Sequence, residues 1–340
     1  MYRTLLLFTL LITALIGCDA DDTESSETAT PDNYYFSSNR SGNYELYQLE
    51  NGQASPLTAD SRYDSWWPRQ SPDGRSMLFY RSLVSDRPAL GGHNNNYDHA
   101  SLWKLDLSSS TETELIAVDG HGWSAQGVVD WSPAGDKLVM AAIESSTNRW
   151  HLFVTDTAGN NPVKISSRTG LYLDPSWSPD GTQIVYAAFP PEYNGIDLAQ
   201  LEIYIANSDG TSERRMTNDN LRDHDPYWSP DGKTIAFESA VDPDFVGVGK
   251  WALRAVDTTD GEVRTLLDDG NINTLPRWSD DSNRILFHRF IFGSGHGFIV
   301  ASMNADGSQV TPITTGGNFD DTDLDFLRPV PLANAAESAK

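Results

Sequence analysis

Apolar residues in this chain occur in short runs that are separated by turn residues. Runs such as Gln183 to Tyr186 and Thr234 to Phe237 are rich in β-branched and aromatic residues, which is typical of strands. Between residues 33 and 332 no stretch of ten residues has the period of an amphipathic helix. The pattern therefore predicts an all-β protein.

A turn motif recurs between these runs at nearly constant spacing. The tetrad Ser-Pro-Asp-Gly, preceded by Trp, is intact at 177–181 and 228–232, and variants of it occupy 70–74, 131–135 and 278–282. Successive anchors lie 61, 46, 51 and 50 residues apart, which is the period of a propeller blade. Pro fixes the backbone dihedral angle at the second position of such a turn, and Gly tolerates the strained conformation at its last position. A strand is therefore predicted to end at each anchor.

Each repeat predicts four antiparallel strands, with a second turn at pairs such as Asp209-Gly210. Near the C-terminus, residues 322–326 resemble 223–228 but supply a single strand, whereas residues 33–58 supply the patterns of the other three. Pairing the two ends would remove two exposed sheet edges. The sequence thus predicts a six-bladed β-propeller of four-stranded blades, whose last blade is closed by N- and C-terminal strands.

These repeats resemble those of the TolB-type six-bladed propeller of bacterial periplasms. The resemblance rests on Trp-Ser-Pro-Asp-Gly, on residues 39–47 and on Asp209-Gly210 followed by Met216-Thr217, and it covers residues 33 to about 332. It implies the fold but leaves the function open, because such repeats also occur in peptidase propellers and in sugar-degrading lyases. We expect no counterpart of the α/β domain that precedes the propeller in TolB.

The first residues predict export and lipidation. Arg3 precedes an apolar run over 5–16 that is too short to span a bilayer and is typical of a signal peptide. The segment Leu-Ile-Gly-Cys at 15–18 is similar to the lipobox of bacterial lipoproteins, which implies lipid attachment at Cys18 and a periplasm-facing location in the cell envelope. An ordinary cleaved signal is the alternative. The predicted divisions are a lipoprotein signal peptide (1–17), a disordered acidic tether (18–32), the propeller (33–332) and a flexible tail (333–340).

The composition excludes some classes of partner and cofactor. With 24 basic and 48 acidic residues the chain carries a formal charge of -24, which is the wrong sign for nucleic acid. Such acidity fits simple solubility, Ca²⁺ binding or recognition of a basic partner. Cys18 is the only cysteine in the chain, which excludes an internal disulfide and a cysteine metal cluster.

The alternation of strands assigns the connections to two faces. Both short turns of every blade must lie on one face, so the longer connections at 82–100, 142–149, 189–200, 240–249 and 290–297 must lie on the other. Long loops on a rigid scaffold are where binding residues collect. We therefore expect the functional surface on the face that carries these insertions.

Two groups of candidate site residues fall on this face. Side chains able to bind a ligand are His93, Tyr97, His99, His121, Trp123, His224, His288 and His296. The carboxylates Asp174, Asp225 and Asp323 share one register, three residues before the end of their strand, and either cap the turn into that strand or hold a cation such as Ca²⁺. Trp67, Val128 and Leu275 occupy the same register, which excludes a six-fold carboxylate ring.

The leading functional hypothesis is a non-enzymatic binding or scaffolding module for an envelope protein or glycan. No catalytic residue is predicted, and Gly-Ser-Gly-His-Gly at 293–297 does not have the spacing of the Gly-x-Ser-x-Gly motif. The alternative is a polysaccharide lyase or glycoside hydrolase with a cation-assisted site at the mouth of the channel. Histidines clustered in one coordination sphere would favour the enzyme, and dispersed histidines would favour binding.

The lipidation hypothesis predicts that Cys18→Ser abolishes incorporation of radioactive palmitate in the native host, because no other cysteine can take the lipid. The variant should also lose the membrane association of the wild type. Ser25→Ala, in the same acidic segment, serves as the control and should be labelled normally. Continued labelling of the Cys18→Ser protein would reject the anchor.

Overall fold

The computed structural model describes residues 33–87, 97–168, 170–195, 197–241, 249–317, 320–326 and 328. The predicted signal peptide, the tether, the tail, Cys18 and His93 lie outside these residues. The described part of the chain is built from strands, with four three-residue 3-10 turns at Val84–Asp86, Tyr97–His99, Gly120–Gly122 and Leu198–Gln200. No helix within it is long and apolar enough to cross a bilayer.

The strands follow the predicted repeat. The first half of the chain contains β1 (Tyr34–Ser38), β2 (Glu45–Glu50), β3 (Gln53–Pro56), β4 (Tyr63–Gln70), β5 (Ser76–Leu83), β6 (Ser101–Asp106), β7 (Thr111–Ile116), β8 (Trp123–Trp131), β9 (Lys137–Glu144), β10 (Arg149–Asp156) and β11 (Val163–Lys164). The second half contains β12 (Tyr172–Trp177), β13 (Gln183–Ala188), β14 (Glu202–Asn207), β15 (Arg214–Arg215), β16 (Arg222–Trp228), β17 (Thr234–Ala240), β18 (Trp251–Asp257), β19 (Val263–Leu267), β20 (Ile272–Trp278), β21 (Arg284–Phe290), β22 (Ile299–Asn304), β23 (Thr311–Pro312) and β24 (Asp321–Phe326).

These strands form antiparallel sheets. Four sheets have four strands each, in the orders β24-β1-β2-β3, β4-β5-β6-β7, β11-β10-β9-β8 and β12-β13-β14-β15. The remaining strands form one eight-stranded sheet, in which β16 to β19 and β20 to β23 are joined by a single parallel pair between Trp251 and Ile272. The predicted pairing of the chain ends is confirmed, because β1 pairs with β24 from Tyr34–Phe326 to Ser38–Asp321.

The anchor turns explain where the inner strands end. β4, β8, β12, β16 and β20 each stop at the predicted anchor residue. In the intact copies the Ser hydroxyl donates to the Asp carboxylate, as between Ser178 and Asp180 at 2.7 Å, and Gly181 has a φ of 72°. Ser282 takes the same left-handed conformation in the degenerate copy, with a φ of 60°. The turn chemistry predicted from Pro, Asp and Gly is therefore confirmed.

The apolar core lies between successive sheets. One cluster joins Val185 and Ile203 of β13 and β14 to Trp228 and Phe237 of β16 and β17. Anchor indoles also bridge sheets, since Trp131 Nε1 donates to the carbonyl of Arg69 on the preceding inner strand at 3.0 Å. These tryptophans are buried, as predicted, and belong to the core.

The inner strands form a closed circuit. Each of β4, β8, β12, β16 and β20 contacts the next inner strand, and β24 contacts both β20 and β4. The short turns between β4 and β5 or β6 and β7 lie at one end of these strands, which we name the turn face. The connections between β5 and β6 or β7 and β8 lie at the opposite end, which we name the insertion face. The insertion expected at 142–149 is shorter than the sequence suggested, because β9 and β10 extend to Glu144 and Arg149.

Closure of the circuit by β24 can be tested with one side chain. Leu324 is buried against Tyr34 and Phe36 of β1, so Leu324→Ala should lower the free energy of unfolding by about 2–4 kcal/mol. Leu83→Ala is the matched control, because Leu83 is exposed and should change it by less than about 0.5 kcal/mol. Urea unfolding of both variants measures the difference. Equal losses would contradict a stabilising closure.

Candidate functional site

A bulge shapes the middle of every inner strand. Pairing with the second strand shifts register three residues before the anchor, as between His224 and Tyr227. Asp174, Asp225 and Asp323 adopt left-handed backbone there, with φ of 53°, 50° and 50°. Aspartate tolerates this conformation better than most residues, so the bulge supplies a structural reason for the shared register.

The same register carries two side chains that rarely tolerate such backbone. Trp67 has a φ of 60° and Leu275 a φ of 53°. Bulky residues at positive φ are genuine outliers that persist only where the surrounding structure holds them. Both line the same cavity as Asp174 and Asp225, which places locally strained backbone around the insertion-face end of the channel.

Four ionisable side chains meet at this end of the channel. His224 Nδ1 lies 2.7 Å from Asp225 Oδ2 and 3.5 Å from Asp174 Oδ2, and its Nε2 lies 3.1 Å from Glu238 Oε1. We name Asp174, His224, Asp225 and Glu238 the acid-histidine cluster. His224 and Glu238 are opposite one another in the β16–β17 ladder, so the pairing register itself brings them together.

The cluster favours a protonated histidine. Burial alone would lower the pKa of His224, but Glu238, Asp225 and Asp174 outweigh it and raise the pKa to about 10. Burial raises the pKa of Glu238 to about 8, although His224 opposes that change. Burial and then repulsion by Asp225 raise the pKa of Asp174. The imidazolium therefore does not fully compensate the surrounding carboxylates.

The cluster opens into a cavity of about 390 Å³. Its wall combines the charged groups with aromatic and aliphatic side chains, which include Trp67, Tyr97, Trp150, Trp251, Phe298, Val128 and Leu173. Trp251 contacts His224 edge to face with centroids 5.0 Å apart, and the Arg222 guanidinium lies 5.3 Å from the centre of the Trp251 ring. An aromatic wall with a few convergent charges is typical of a ligand pocket.

The predicted site residues separate into two groups. Asp174, His224, Asp225 and Tyr97 line the cavity. Tyr97 packs edge to face on Tyr80 with centroids 5.6 Å apart. Asp323 is buried and does not line the cavity, although its charge adds to the effect of burial in raising the pKa of Tyr97.

The other predicted residues have separate environments. His99 and His296 are exposed, and His121 Nε2 lies 2.8 Å from the carbonyl oxygen of Gly159. Trp123 is core, since it packs on Phe153 with centroids 4.6 Å apart. His288 is fully buried, and its Nε2 accepts a hydrogen bond from Leu324 N at 3.3 Å. None of these four histidines shares the metal-sized group formed by Asp174, His224 and Asp225.

Sequence reasoning missed Glu238, Arg222, Trp150, Trp251 and Phe298. Glu238 had a detectable signal, because it is a charged residue within the otherwise buried run of β17. Its Oε2 accepts a hydrogen bond from Leu275 N of β20 at 2.7 Å, so it also fastens neighbouring strands. Trp251 and Phe298 follow poorly patterned loops, and nothing in the linear sequence indicates that they reach the channel.

A second acidic group has a structural explanation. Glu202, Asp219 and Asp223 offer oxygens within 4.8 Å of one another. Arg215 Nη2 lies 2.6 Å from Glu202, and Arg254 Nη1 lies 2.9 Å from Asp219. The protein's own cations thus compensate this group. Glu45 repeats the arrangement of Glu202, because Thr58 and the backbone of Asp60 donate to it as Thr217 and the backbone of Asp219 donate to Glu202.

Comparison of sequences gives distant relatives. No protein-family model matches the chain. An uncharacterized protein of Agrobacterium fabrum is 26% identical over 275 residues, which make up 77% of this chain and 83% of that protein. The Tol-Pal system protein TolB of Bordetella pertussis is 26% identical over 246 residues, 57% of this chain and 53% of that protein. The match therefore spans about half the length of this TolB.

Comparison of folds gives broader coverage. The structure of a putative TolB from Agrobacterium tumefaciens superposes with a TM-score of 0.62 at 17% identity and covers 87% of this chain and 99% of that one. An oligogalacturonate lyase from Vibrio parahaemolyticus gives 0.55 at 16% identity and covers 83% and 74%. These likenesses show the fold alone. The protein is an all-β propeller of four-stranded antiparallel blades, and its sequence relatives support a place among the TolB-like propellers.

The acid-histidine cluster predicts how stability depends on pH. A folded-state pKa of about 8 for Glu238 means that its contribution falls as pH rises from about 4.5 to about 8, and that of His224 falls from about 6.5 to about 10. Glu238→Gln should therefore flatten the decline in unfolding free energy between about pH 5 and pH 9. Glu114→Gln, on the exposed part of β7, is the matched control and should keep the wild-type slope. Identical slopes in all three proteins would contradict the coupling.

Proposed function

We propose that this protein is a lipid-anchored, periplasm-facing propeller that binds an envelope protein or glycan through its insertion face. The six-blade count is part of this proposal. Only one parallel pair, between Trp251 and Ile272, joins the two halves of the eight-stranded sheet, so we count the halves as two blades. The circuit of inner strands also supports six blades. The anchor at Cys18 and the envelope location rest on the lipobox-like segment and on relatives that are named as Tol-Pal system proteins.

The distribution of exposed apolar side chains carries the binding proposal. Within the described part of the chain, the large hydrophobic residues that are well exposed are Leu83, Val118, Val163, Leu198 and Phe292. All but Val163 lie in connections or strand ends at the insertion face. Phe292, the most exposed of these four at 47%, stacks edge to face on Phe290 with centroids 5.5 Å apart. The four residues lie in different connections, so it is their common face and not a contiguous patch that supports a protein interaction surface here.

An envelope protein is the partner that this distribution favours over a glycan. Glycan sites rely on aromatic faces with dense hydrogen-bonding groups, whereas aliphatic side chains such as Leu83 and Leu198 add contact area to a protein interface. Within the described part of the chain each of these residues lies at or near a strand end, so the sheets support the apolar groups that a partner would meet.

A cation-assisted lyase or hydrolase is the second candidate. The group formed by Asp174, His224 and Asp225 favours it, because these side chains offer ligand atoms within 4.8 Å of one another. Ca²⁺, however, takes oxygen ligands, and His224 places a ring nitrogen between the carboxylates. Among the described histidines only His224 belongs to this group, which supports the binding hypothesis instead.

The insertion-face surface can be tested by paired substitutions. Capture of partners from the native envelope by the full-length chain should be lost on Leu198→Ser combined with Phe292→Ser, because both remove exposed apolar contact area. Val163→Ser is the control, since it removes a similar group from the outer strand β11. Mass spectrometry should find the same partner with the wild type and the control. Undiminished capture by the double variant, or loss with Val163→Ser alone, would contradict the assignment.

A further inference from the structure

The cavity at the insertion-face end of the channel is unusual in combining an excess of acid with aromatic walls. Three carboxylates line it, those of Asp174, Asp225 and Glu238, against the two cationic groups of Arg222 and His224. Asp323, which shares the register of Asp174 and Asp225, is buried outside this lining. Only 2% of Asp323 is exposed, and among the described residues nothing donates to its Oδ1. The lining of this cavity thus has one more carboxylate than cation, whereas Arg69 and Arg277 line an adjoining cavity together with Asp174 and Asp225.

The aromatic side chains are placed to receive a cation. Trp67, Tyr97, Trp150 and Trp251 all contribute to the cavity wall. The protein already uses two of them in this way, since the Arg222 guanidinium lies 5.3 Å from the centre of the Trp251 ring and the Arg69 guanidinium lies 4.0 Å from that of Trp67, which leaves Tyr97 and Trp150. Aromatic faces attract ammonium and guanidinium groups, and the attraction strengthens where water is excluded. The cavity thus offers carboxylates that can pair with the charge of a cationic ligand, and aromatic rings that can contact its aliphatic stem and its cationic group.

The size of the cavity limits the ligand. A volume of about 390 Å³ lies at the lower end of the range of about 300–1,000 Å³ for small-molecule sites. It is large enough for one long side chain and too small for a folded element. The same carboxylates would repel a uronate, a phosphate or another acidic group, so anionic glycans are disfavoured here.

We propose that this cavity receives a lysine or arginine side chain from the protein partner that docks on the insertion face. The inference rests on the proposed binding function and adds the chemistry of its centre. A basic side chain enters among Asp174, Asp225 and Glu238, and the exposed apolar residues around it contact the rest of the partner. Binding hot spots are enriched in arginine as well as in aromatic residues, fill desolvated pockets and are surrounded by contacts that exclude water.

The chemistry can be tested with three blocked pentapeptides, acetyl-Gly-Gly-X-Gly-Gly-amide, in which X is lysine, arginine or norleucine. Ligand-observed NMR with the full-length chain measures their affinities. The lysine and arginine peptides should bind at least about tenfold more tightly than the norleucine peptide, which has the stem without the charge. At pH 9, where Glu238 with its pKa of about 8 is mostly ionised, Glu238→Gln should weaken the lysine peptide by about tenfold, because a neutral amide replaces a carboxylate of the same shape.

Matched variants keep this test decisive. Glu114→Gln makes the same chemical change on the exposed part of β7 and should leave the affinity unchanged. Asp174→Asn provides a second cavity variant if Glu238→Gln proves unstable on heating. Equal weakening by Glu114→Gln, equal binding of lysine and norleucine peptides, or displacement of the lysine peptide by stoichiometric Ca²⁺ would overturn the proposal. Binding of spermidine without binding of either basic peptide would also overturn it.

Partner capture separates this proposal from the binding function on which it rests. If Glu238→Gln and Asp174→Asn capture the envelope partner as well as the wild type, while Leu198→Ser with Phe292→Ser does not, the surface remains supported and the cation pocket is wrong. Loss of capture in the cavity variants together with weaker peptide binding supports both. Capture that none of these substitutions reduces overturns both.

Discussion

Pairing between β1 and β24 is the constraint on which the rest of the structure depends. It joins residues that are almost 300 positions apart, since Ser38 pairs with Asp321 and Tyr34 with Phe326. Arg40 reinforces the joint through an ion pair of 2.5 Å to Asp321. Without this joint the first and last sheets would expose their edges, and the inner strands would no longer form a circuit. The cavity needs that circuit, because its wall takes residues from several inner strands.

The inner strands both hold neighbouring sheets together and carry residues of the candidate site, and the bulge makes this possible. Each bulge turns one side chain out of the regular alternation of the sheet, and the residues at this position include Asp174 and Asp225. The extended parts of the same strands hold the neighbouring sheets together through anchor indoles such as Trp131. The acid-histidine cluster therefore stands on rigid backbone, whereas the apolar contacts proposed around it stand on connections whose length varies. The residues proposed to contact the partner and the residues that hold the blades together therefore lie in different parts of the repeat.

The sequence predicted features whose causes are local. A strand ends at Trp177 because the next four residues form a turn by themselves, and the closure by β24 follows from counting the repeats. It also placed Asp174 and Asp225 in one register. It missed Glu238 as a partner of His224, because their contact depends on a cross-strand register that the bulge alters. Trp123 was predicted as a ligand-binding residue, yet it packs on Phe153, since the first residue of β8 already lies within the core. Side-chain direction at strand ends is set by packing, which linear spacing does not record.

In several blades a side chain of the second strand forms a hydrogen bond with the backbone of the inner strand of the next blade. These hydrogen bonds limit how the residues around the cavity can change. Glu238 accepts from Leu275 N, His288 accepts from Leu324 N, and Tyr80 donates to the carbonyl of Gly127. Each of these positions needs a polar group that can span the gap, but the three side chains are a carboxyl, an imidazole and a phenol. Substitution of one such polar residue by another would therefore change the charge at the mouth of the channel and would keep the hydrogen bonds between blades. The same fold can in this way come to bind different ligands without first losing stability.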